Sequence, residues 1–251
     1  FINKGLQYNK ELEKNIYSFE KIIKISNLVI SIGGDGTILS TARRMYGSKI
    51  PIFGIKIGKL GFLSECNVSD LASSISLIVK NKYFIEKRML INAQIKHKKK
   101  ILESFNALND IVIHHGRAAR LLKTKIMVSN RFLNIYESDG VIFSTPTGST
   151  AYSLSAGGPI VHPDLESIII TPVSPHSISA RPIILDSKSI INTGFYDDNK
   201  EILITIDGQI SQPIDSSMKI VIKKSDYSIS FLRLKKFQYF KSLRNKMRWS
   251  G

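Results

Sequence analysis

Cysteine is almost absent. Cys66 stands alone among 251 residues, which rules out an internal disulfide and points to a reducing compartment, the cytoplasm by default. Long apolar runs are missing too: none approaches the roughly 20 residues that cross a bilayer, so the chain reads as soluble, with no membrane partner. Five histidines (His97, His114, His115, His162, His176) show no metal-ligand spacing, and no protein-held metal is expected. Neither Gly-x4-Gly-Lys-Ser/Thr nor a clean Gly-x-Gly-x-x-Gly occurs, which argues against a Walker-type kinase and a dinucleotide dehydrogenase. Ser149 lacks the Gly-x-Ser-x-Gly elbow and a marked histidine base, which argues against a hydrolase.

Acidic residues are scarce as well. Twenty Asp and Glu against 36 Lys and Arg give a formal net charge of +16, which raises nucleic acid, a membrane surface or an anionic ligand as partners. Lysine outnumbers arginine 26 to 10, and the basic residues are scattered apart from Lys96-His97-Lys98-Lys99-Lys100, read as a hairpin tip. Charge that contacts a nucleic-acid backbone normally clusters, so no nucleic-acid partner is expected.

What is present centres on Leu28 to Leu39. An apolar run, Leu28 to Ile32, predicts a strand buried on both faces. Gly33-Gly34-Asp35-Gly36-Thr37 follows, and the apolar spacing at 38, 39, 42, 45 and 46, closed by Gly47, predicts a helix. Glycines without Cβ atoms let a bulky anion approach backbone N–H groups, and a helix N-terminus favours negative charge. A carboxylate is out of place there unless it binds metal or takes a proton, which makes Asp35 the candidate catalytic group. The local alternative is a tight turn in which Asp35 caps the helix.

Residues 1–25 read as a polar helix with Leu12, Ile16, Phe19 and Ile23 on one face. Ile50 to Ile55 is a second buried strand, completing a βαβ unit. Gly54 to Leu63 is another glycine-punctuated turn, and both loops should face one crevice beyond the strand ends. Phe62 there either offers a ring to a base or belongs to the core. Residues 68–80 predict a helix with Leu71, Ile75, Ile78 and Val79 inward. From Met89 onward, alternating runs joined by polar turns predict antiparallel strands, and 236–249 has helical spacing. The fold class is therefore an α/β N-terminal domain (Rossmann-like, βαβ), residues 1–88, plus a β-rich C-terminal domain (two-sheet, mainly antiparallel), residues 89–235. A terminal helix, 236–251, completes it. The chain opens on Phe1 rather than methionine, read as an incomplete N-terminus.

The run from Ser138 to Pro163 is rich in glycine and hydroxyls. Its second half is too rich in small polar residues for core, and the turn at Thr145 to Thr150 is expected to converge N–H groups and hydroxyls on ribose and phosphate. Asp139, before the strand Val141-Ile142-Phe143, is placed to accept from a sugar or amide.

These residues together resemble the NAD kinases, which transfer the γ-phosphate of ATP to the adenosine-ribose 2′-hydroxyl of NAD. The resemblance covers most of the chain. It rests on Gly33 to Thr37, Leu60-Gly61-Phe62-Leu63, Asn109 with its acidic neighbour, Asp139-Gly140 to Pro159, and Ser179-Ala180-Arg181-Pro182. The first motif is shared with diacylglycerol and sphingosine kinases and, more distantly, phosphofructokinases; the central run is specific. The resemblance implies that Asp35 is the base for the 2′-hydroxyl, on a phosphate loop of Gly33, Gly34, Gly36 and Thr37, with Gly36 also against substrate. Asn109 and Asp110 match the pair that binds NAD, Phe62 the aromatic near adenine, and Asp139 the acid at the nicotinamide end. Thr150, Ala151, Tyr152, Ser153, Leu154 and Ser155 match the substrate-binding run, with Tyr152 against the base; Arg120, Glu137 and Gln209 occupy further contact positions. A divalent metal ion, Mg2+, is expected with ATP, held by phosphates and water. A homodimer or homotetramer is implied, as is a terminal segment packing back on the first domain. Asp110 replaces the usual glutamate, Glu137 stands where relatives often carry arginine, and Lys56 replaces an often neutral residue. The alternatives are a lipid or sugar kinase sharing the first loop and, from another class, a basic nucleic-acid-binding protein.

Overall fold

The computed structural model describes residues 17–58, 61–116, 121–196, 202–235 and 239–249. In chain order these form α1 (Phe19–Ile25), β1 (Val29–Gly33), α2 (Asp35–Arg44), β2 (Ile52–Lys56), β3 (Cys66–Asn67), α3 (Leu71–Val79), β4 (Tyr83–His97) and β5 (Lys100–Ala107). Next come β6 (Asp110–His115), β7 (Leu122–Val128), β8 (Arg131–Ser138), β9 (Gly140–Ser144), α4 (Tyr152–Ser155), β10 (Ser167–Val173) and β11 (Ile183–Asp186). The chain ends with β12 (Ile191–Phe195), β13 (Ile202–Ile206), β14 (Ile210–Ile214), β15 (Met218–Leu234) and α5 (Tyr239–Met247). It divides into two compact units: residues 1–38, 47–86 and 230–251, and residues 39–46 and 87–229.

In the first unit, β1 pairs in parallel with β2, and β2 pairs in parallel with β3 and with the end of β15, where Phe231 faces Ile52. The βαβ unit is thus present, but β1 is not buried on both faces. Val29 and Ser31 are buried, whereas Ile30 and Ile32 are 42% and 52% exposed, because side chains alternate along a strand and the described residues cover only one face of β1. Helix α2 buries Ile38, Leu39 and Ala42, with Met45 just beyond its end, as the spacing predicts. Helix α3 departs from its reading: Val79 is 76% exposed and Ser74 is fully buried, while Leu71, Leu77 and Ile78 pack on Phe53, Ile55 and Cys66. Helix α1 starts at Phe19, capped by Ser18, whose hydroxyl accepts from the Lys21 N–H; Leu12 and Ile16 lie outside the described residues.

The second unit is two antiparallel sheets, as expected. One contains β8, β7, β12 and the first part of β15 in that order, with the β4–β5 hairpin. The other runs β11-β10-β9-β6-β13-β14. Their apolar faces share one core, in which Ile91, Ile126, Ile191 and Ile222 meet Ile111, Val141, Ile168 and Ile202. Burial of these branched side chains is the main stabilising term. Lys98, with φ of 53°, turns the β4–β5 hairpin, so the basic run is a hairpin tip.

The first unit also buries an arginine. Arg233 has no exposed surface; its Nε donates to Glu86 Oε2 at 2.7 Å, and its Nη1 donates to Glu65 Oε2 at 3.3 Å and to the Leu63 carbonyl at 3.2 Å. Burial pushes the Glu65 carboxyl up to about 7, against the opposing pull of Arg233. Removing one member of a buried ion cluster costs far more than a surface pair, because the remaining charge has no water. Arg233→Met is expected to lower stability by about 3–5 kcal/mol in urea unfolding at pH 8. The sign with pH follows from the raised acid: near pH 5 Glu65 takes up a proton in the folded state and no bare charge remains there, so the loss should be smaller.

Candidate functional site

Strand β1 delivers the chain to Gly34, whose carbonyl accepts from the Thr37 and Ile38 N–H groups. Helix α2 therefore opens at Asp35, three residues ahead of the apolar spacing. The Asp35 carboxylate does not cap that helix. Its Oδ2 accepts from the Phe62 N–H at 3.1 Å, and its Oδ1 is buried with no hydrogen-bond partner among the described residues. The second glycine loop encloses this group: a Cβ at Gly61 would lie 1.7 Å from Oδ1, and the Gly61 N–H is tied to Ser64 Oγ at 2.8 Å. Only glycine leaves space for the carboxylate. The side chain is still 32% exposed, and a carboxylate held by a single N–H keeps acceptor capacity for a proton from a ligand on the side that Gly61 does not cover.

Two lysines flank the loop. Lys246 Nζ, from α5, lies 3.8 Å from Asp35 Oδ2 and 5.0 Å from the centre of the Phe62 ring. Lys56, at the end of β2, would have its Nζ 3.3 Å from a Cβ at Gly34. Phe62 thus holds Asp35 through its backbone and Lys246 through its ring; Leu60 lies outside the described residues.

The second unit carries a cavity of about 500 Å³. Of the residues expected at a binding site, Asn109, Asp110, Asp139, Ala151 and Tyr152 line it together. Their placement follows from a complete account of the backbone at 108–110. The N–H groups of Leu108, Asn109 and Asp110 all donate to the Asp207 carboxylate, at 3.1, 2.7 and 3.2 Å. The Leu108 carbonyl accepts from Thr145 Oγ1 at 2.5 Å, the Asn109 carbonyl from the Thr145 N–H at 2.9 Å, and the Asp110 carbonyl from the Asp207 N–H at 2.9 Å. Every backbone polar group of the three residues is satisfied by Thr145 and Asp207. Gly148 closes the arrangement, since a Cβ there would lie 2.0 Å from the Asn109 carbonyl oxygen.

Asp207 was not among the expected site residues. It lies with Gly208 in the turn between β13 and β14, with φ of 50° and 62° and a Gln209 N–H to Ile206 carbonyl bond of 2.9 Å, a type I′ turn. The available signal was an Asp-Gly pair between two apolar runs, legible as a turn and silent about the carboxylate's direction. Burial raises the Asp207 pKa, against the three N–H groups that lower it. Asp110 is pushed up to about 7, by burial first and then by the Asp207 charge. His114 and His115, set aside for want of metal spacing, also line the cavity. His114 lies between the His115 carbonyl and Thr205 Oγ1, at 2.9 and 3.0 Å. His115 Nε2 is 3.6 Å from Asp139 Oδ1.

Other expected residues stand elsewhere. The hydroxyls of the turn at Thr145 to Thr150 and of the run on to Ser155 were expected to face a ligand, yet Thr145, Ser149 and Ser153 are fully buried. The Ser149 hydroxyl donates to the Pro146 carbonyl at 2.6 Å and accepts from the Val161 N–H at 3.0 Å; Ser153 Oγ pairs with Thr171 Oγ1 at 2.9 Å. Thr145, Ser149 and Ser153 are core here because each hydroxyl finds a hydrogen-bond partner. Thr150 turns to the Thr147 carbonyl at 3.3 Å, and neither Leu154 nor Ser155 lines the cavity. Gln209 Oε1 accepts from Arg43 Nη1 at 2.8 Å. Glu137 faces Lys123 across the β7–β8 pair, with Nζ to Oε1 at 3.5 Å, so a lysine answers this acid. Arg120 lies outside the described residues.

The family profile of the ATP-NAD kinase N-terminal domain matches residues 7–83, and that of the ATP-NAD kinase C-terminal domain matches residues 108–234. The NAD kinase of Thermoanaerobacter sp. (strain X514) is 42% identical over 222 residues, 88% of this chain and 78% of the relative. That of Buchnera aphidicola subsp. Schizaphis graminum is 39% identical over 230 residues, 92% and 79% of the two chains. Among solved structures, yeast NADH kinase complexed with NADH matches with a TM-score of 0.86 at 26% identity, covering 96% of this chain and 76% of that one. An NAD kinase from Archaeoglobus fulgidus in complex with ATP matches with a TM-score of 0.78 at 27% identity, covering 92% and 86%. With both profiles matched in order and such identity over most of the relatives' length, the chain belongs to the NAD kinase family.

Proposed function

We propose that this kinase binds NAD in the cavity of its β-rich unit and that Asp35 takes the proton of the adenosine-ribose 2′-hydroxyl while the γ-phosphoryl group of ATP is transferred to that oxygen. The activity is that of the family, a phosphotransferase acting on an alcohol group and forming NADP from NAD and ATP. One observation carries the assignment of the base: the Asp35 side chain is 32% exposed and its carboxylate accepts only one N–H, that of Phe62, among the described residues. Phosphoryl transfer asks little covalent chemistry of the protein, so positioning and electrostatics dominate.

Asn109 and Asp110, their backbone fully occupied, are left to bind through side chains, and Asp139, Ala151 and Tyr152 complete the lining. The Mg2+ expected with ATP supplies charge neutralisation at the phosphates. Among the described residues no three His, Cys, Asp or Glu side chains group to hold a cation. Buried free Cys66 supports a reducing, cytoplasmic setting. No described helix is long and apolar enough to cross a membrane. A homodimer or homotetramer belongs to the same reading: Phe132 and Ile135, 58% and 41% exposed on β8, offer a face for a second copy.

Asp35→Asn is expected to lower kcat by about 10²- to 10⁴-fold with the fold intact, the range for losing a general base; a coupled NADP assay with circular dichroism checks both, and near-normal turnover rules the role out. Gly61→Ala must displace the carboxylate and should cost about 10²-fold in kcat, as a misplacement of about 1 Å does. The KM for NAD should change little in the same assay.

A further inference from the structure

The Mg2+ expected with ATP neutralises charge at the phosphates, and the Asp35 carboxylate adds a further negative charge where the transfer takes place. A carboxylate base and an incoming polyphosphate are both anionic, and as the phosphoryl group nears the 2′-oxygen beside Asp35 their repulsion rises. A cation at this point would relieve it, and the first unit supplies one. Lys246 Nζ lies 3.8 Å from Asp35 Oδ2, an ion pair too long for a direct hydrogen bond, so its N–H donors are not committed to that oxygen. The ammonium lies 5.0 Å from the centre of the Phe62 ring, within cation–π range, and Phe62 is the residue whose N–H fixes Asp35. Leu243, three residues earlier on the same face of α5, is buried and pins the helix. The Lys246 and Asp35 side chains are 33% and 32% exposed, open to a ligand.

We infer that Lys246 is a further catalytic residue, a cation that contacts the transferred phosphoryl group while shielding it from the Asp35 carboxylate. The inference rests on the reading of Asp35 as the base. The bookkeeping of the step is complete without a proton from the lysine. The 2′-hydroxyl gives its proton to Asp35, a bond forms between the 2′-oxygen and the γ-phosphorus, and the bond to the β,γ-bridging oxygen breaks. ADP leaves with that electron pair, and Lys246 remains an ammonium throughout. The terminal helix is thereby part of the reaction centre. Lys56, close to Gly34, places a second ammonium on the other side of the same loop.

The test uses the full chain with Lys246→Ala, Lys246→Gln and Lys246→Arg, each alone and in the Asp35→Asn background, with thermal unfolding as a check on folding. Lys246→Ala and Lys246→Gln should lower kcat by about 10²-fold, the lower end for removing one preorganised donor, with the KM for NAD unchanged. Arg keeps the charge and should restore kcat to within about tenfold of the parent. Calorimetry with ATP alone should show binding about tenfold weaker without the lysine, in both backgrounds, the lower end of the worth of a hydrogen bond to a charged group. Turnover of Lys246→Ala and Lys246→Gln within about twofold of the parent, or ATP binding weakened only when Asp35 is present, overturns the inference. The two readings separate: a dead Asp35→Asn beside an active Lys246→Ala sinks the cation alone, and the reverse pattern sinks the base alone.

Discussion

A carboxylate packed against a bare backbone sets the terms for the first unit. Asp35 Oδ1 occupies space that any residue larger than glycine at position 61 would fill. The neighbouring N–H of Phe62 fixes the other oxygen, and Ser64 fixes Gly61 in turn. The two glycine loops, which in sequence look like two versions of one phosphate-binding turn, therefore do different work. The first presents the carboxylate and opens α2; the second encloses it. In the second, Gly61 is needed for close approach, whereas Gly58 takes a φ of 91°.

The second unit buries a carboxylate too, with the opposite outcome. Asp207 accepts three backbone N–H groups, whereas Asp35 accepts one. The donor count separates their chemistry. An acceptor saturated by amides clamps a backbone, and a partly exposed one held by a single amide keeps acceptor capacity for a substrate proton. The clamp has a purpose beyond folding, because the residues it holds, Asn109 and Asp110, are those whose side chains line the cavity. Thr145 completes it from the carbonyl side, so the hydroxyl-rich run supports the binding pair from behind.

Much of this was legible in the sequence. The strand, glycine loop and helix around Asp35, the βαβ unit and the two antiparallel sheets all follow from apolar periodicity and turn residues, because those signals are local. The hydroxyl run misled for a physical reason. Serine and threonine read as solvent- or ligand-facing, yet the buried hydroxyls of Thr145, Ser149 and Ser153 find a carbonyl, an amide or another hydroxyl, and composition does not reveal such pairing. Ser74 at the buried face of α3 and Arg233 in the core escaped notice similarly. Asp207 and Lys246 were invisible for another reason: their partners are about 100 and 200 residues away in sequence, and nothing local marks the direction of either side chain. The departure at Glu137 looked like a lost cation, and only the β7–β8 register places Lys123 opposite it.

The central claim is that the Asp35 carboxylate receives the ribose proton. The most direct measurement is the distance from the nearer Asp35 carboxylate oxygen to the adenosine-ribose 2′-oxygen in a crystal structure of the full chain with NAD bound. The account requires about 2.6–3.2 Å, the reach of a general base or, with one water between, twice that. A 2′-hydroxyl bonded to a different acceptor, with Asp35 out of reach, would contradict it.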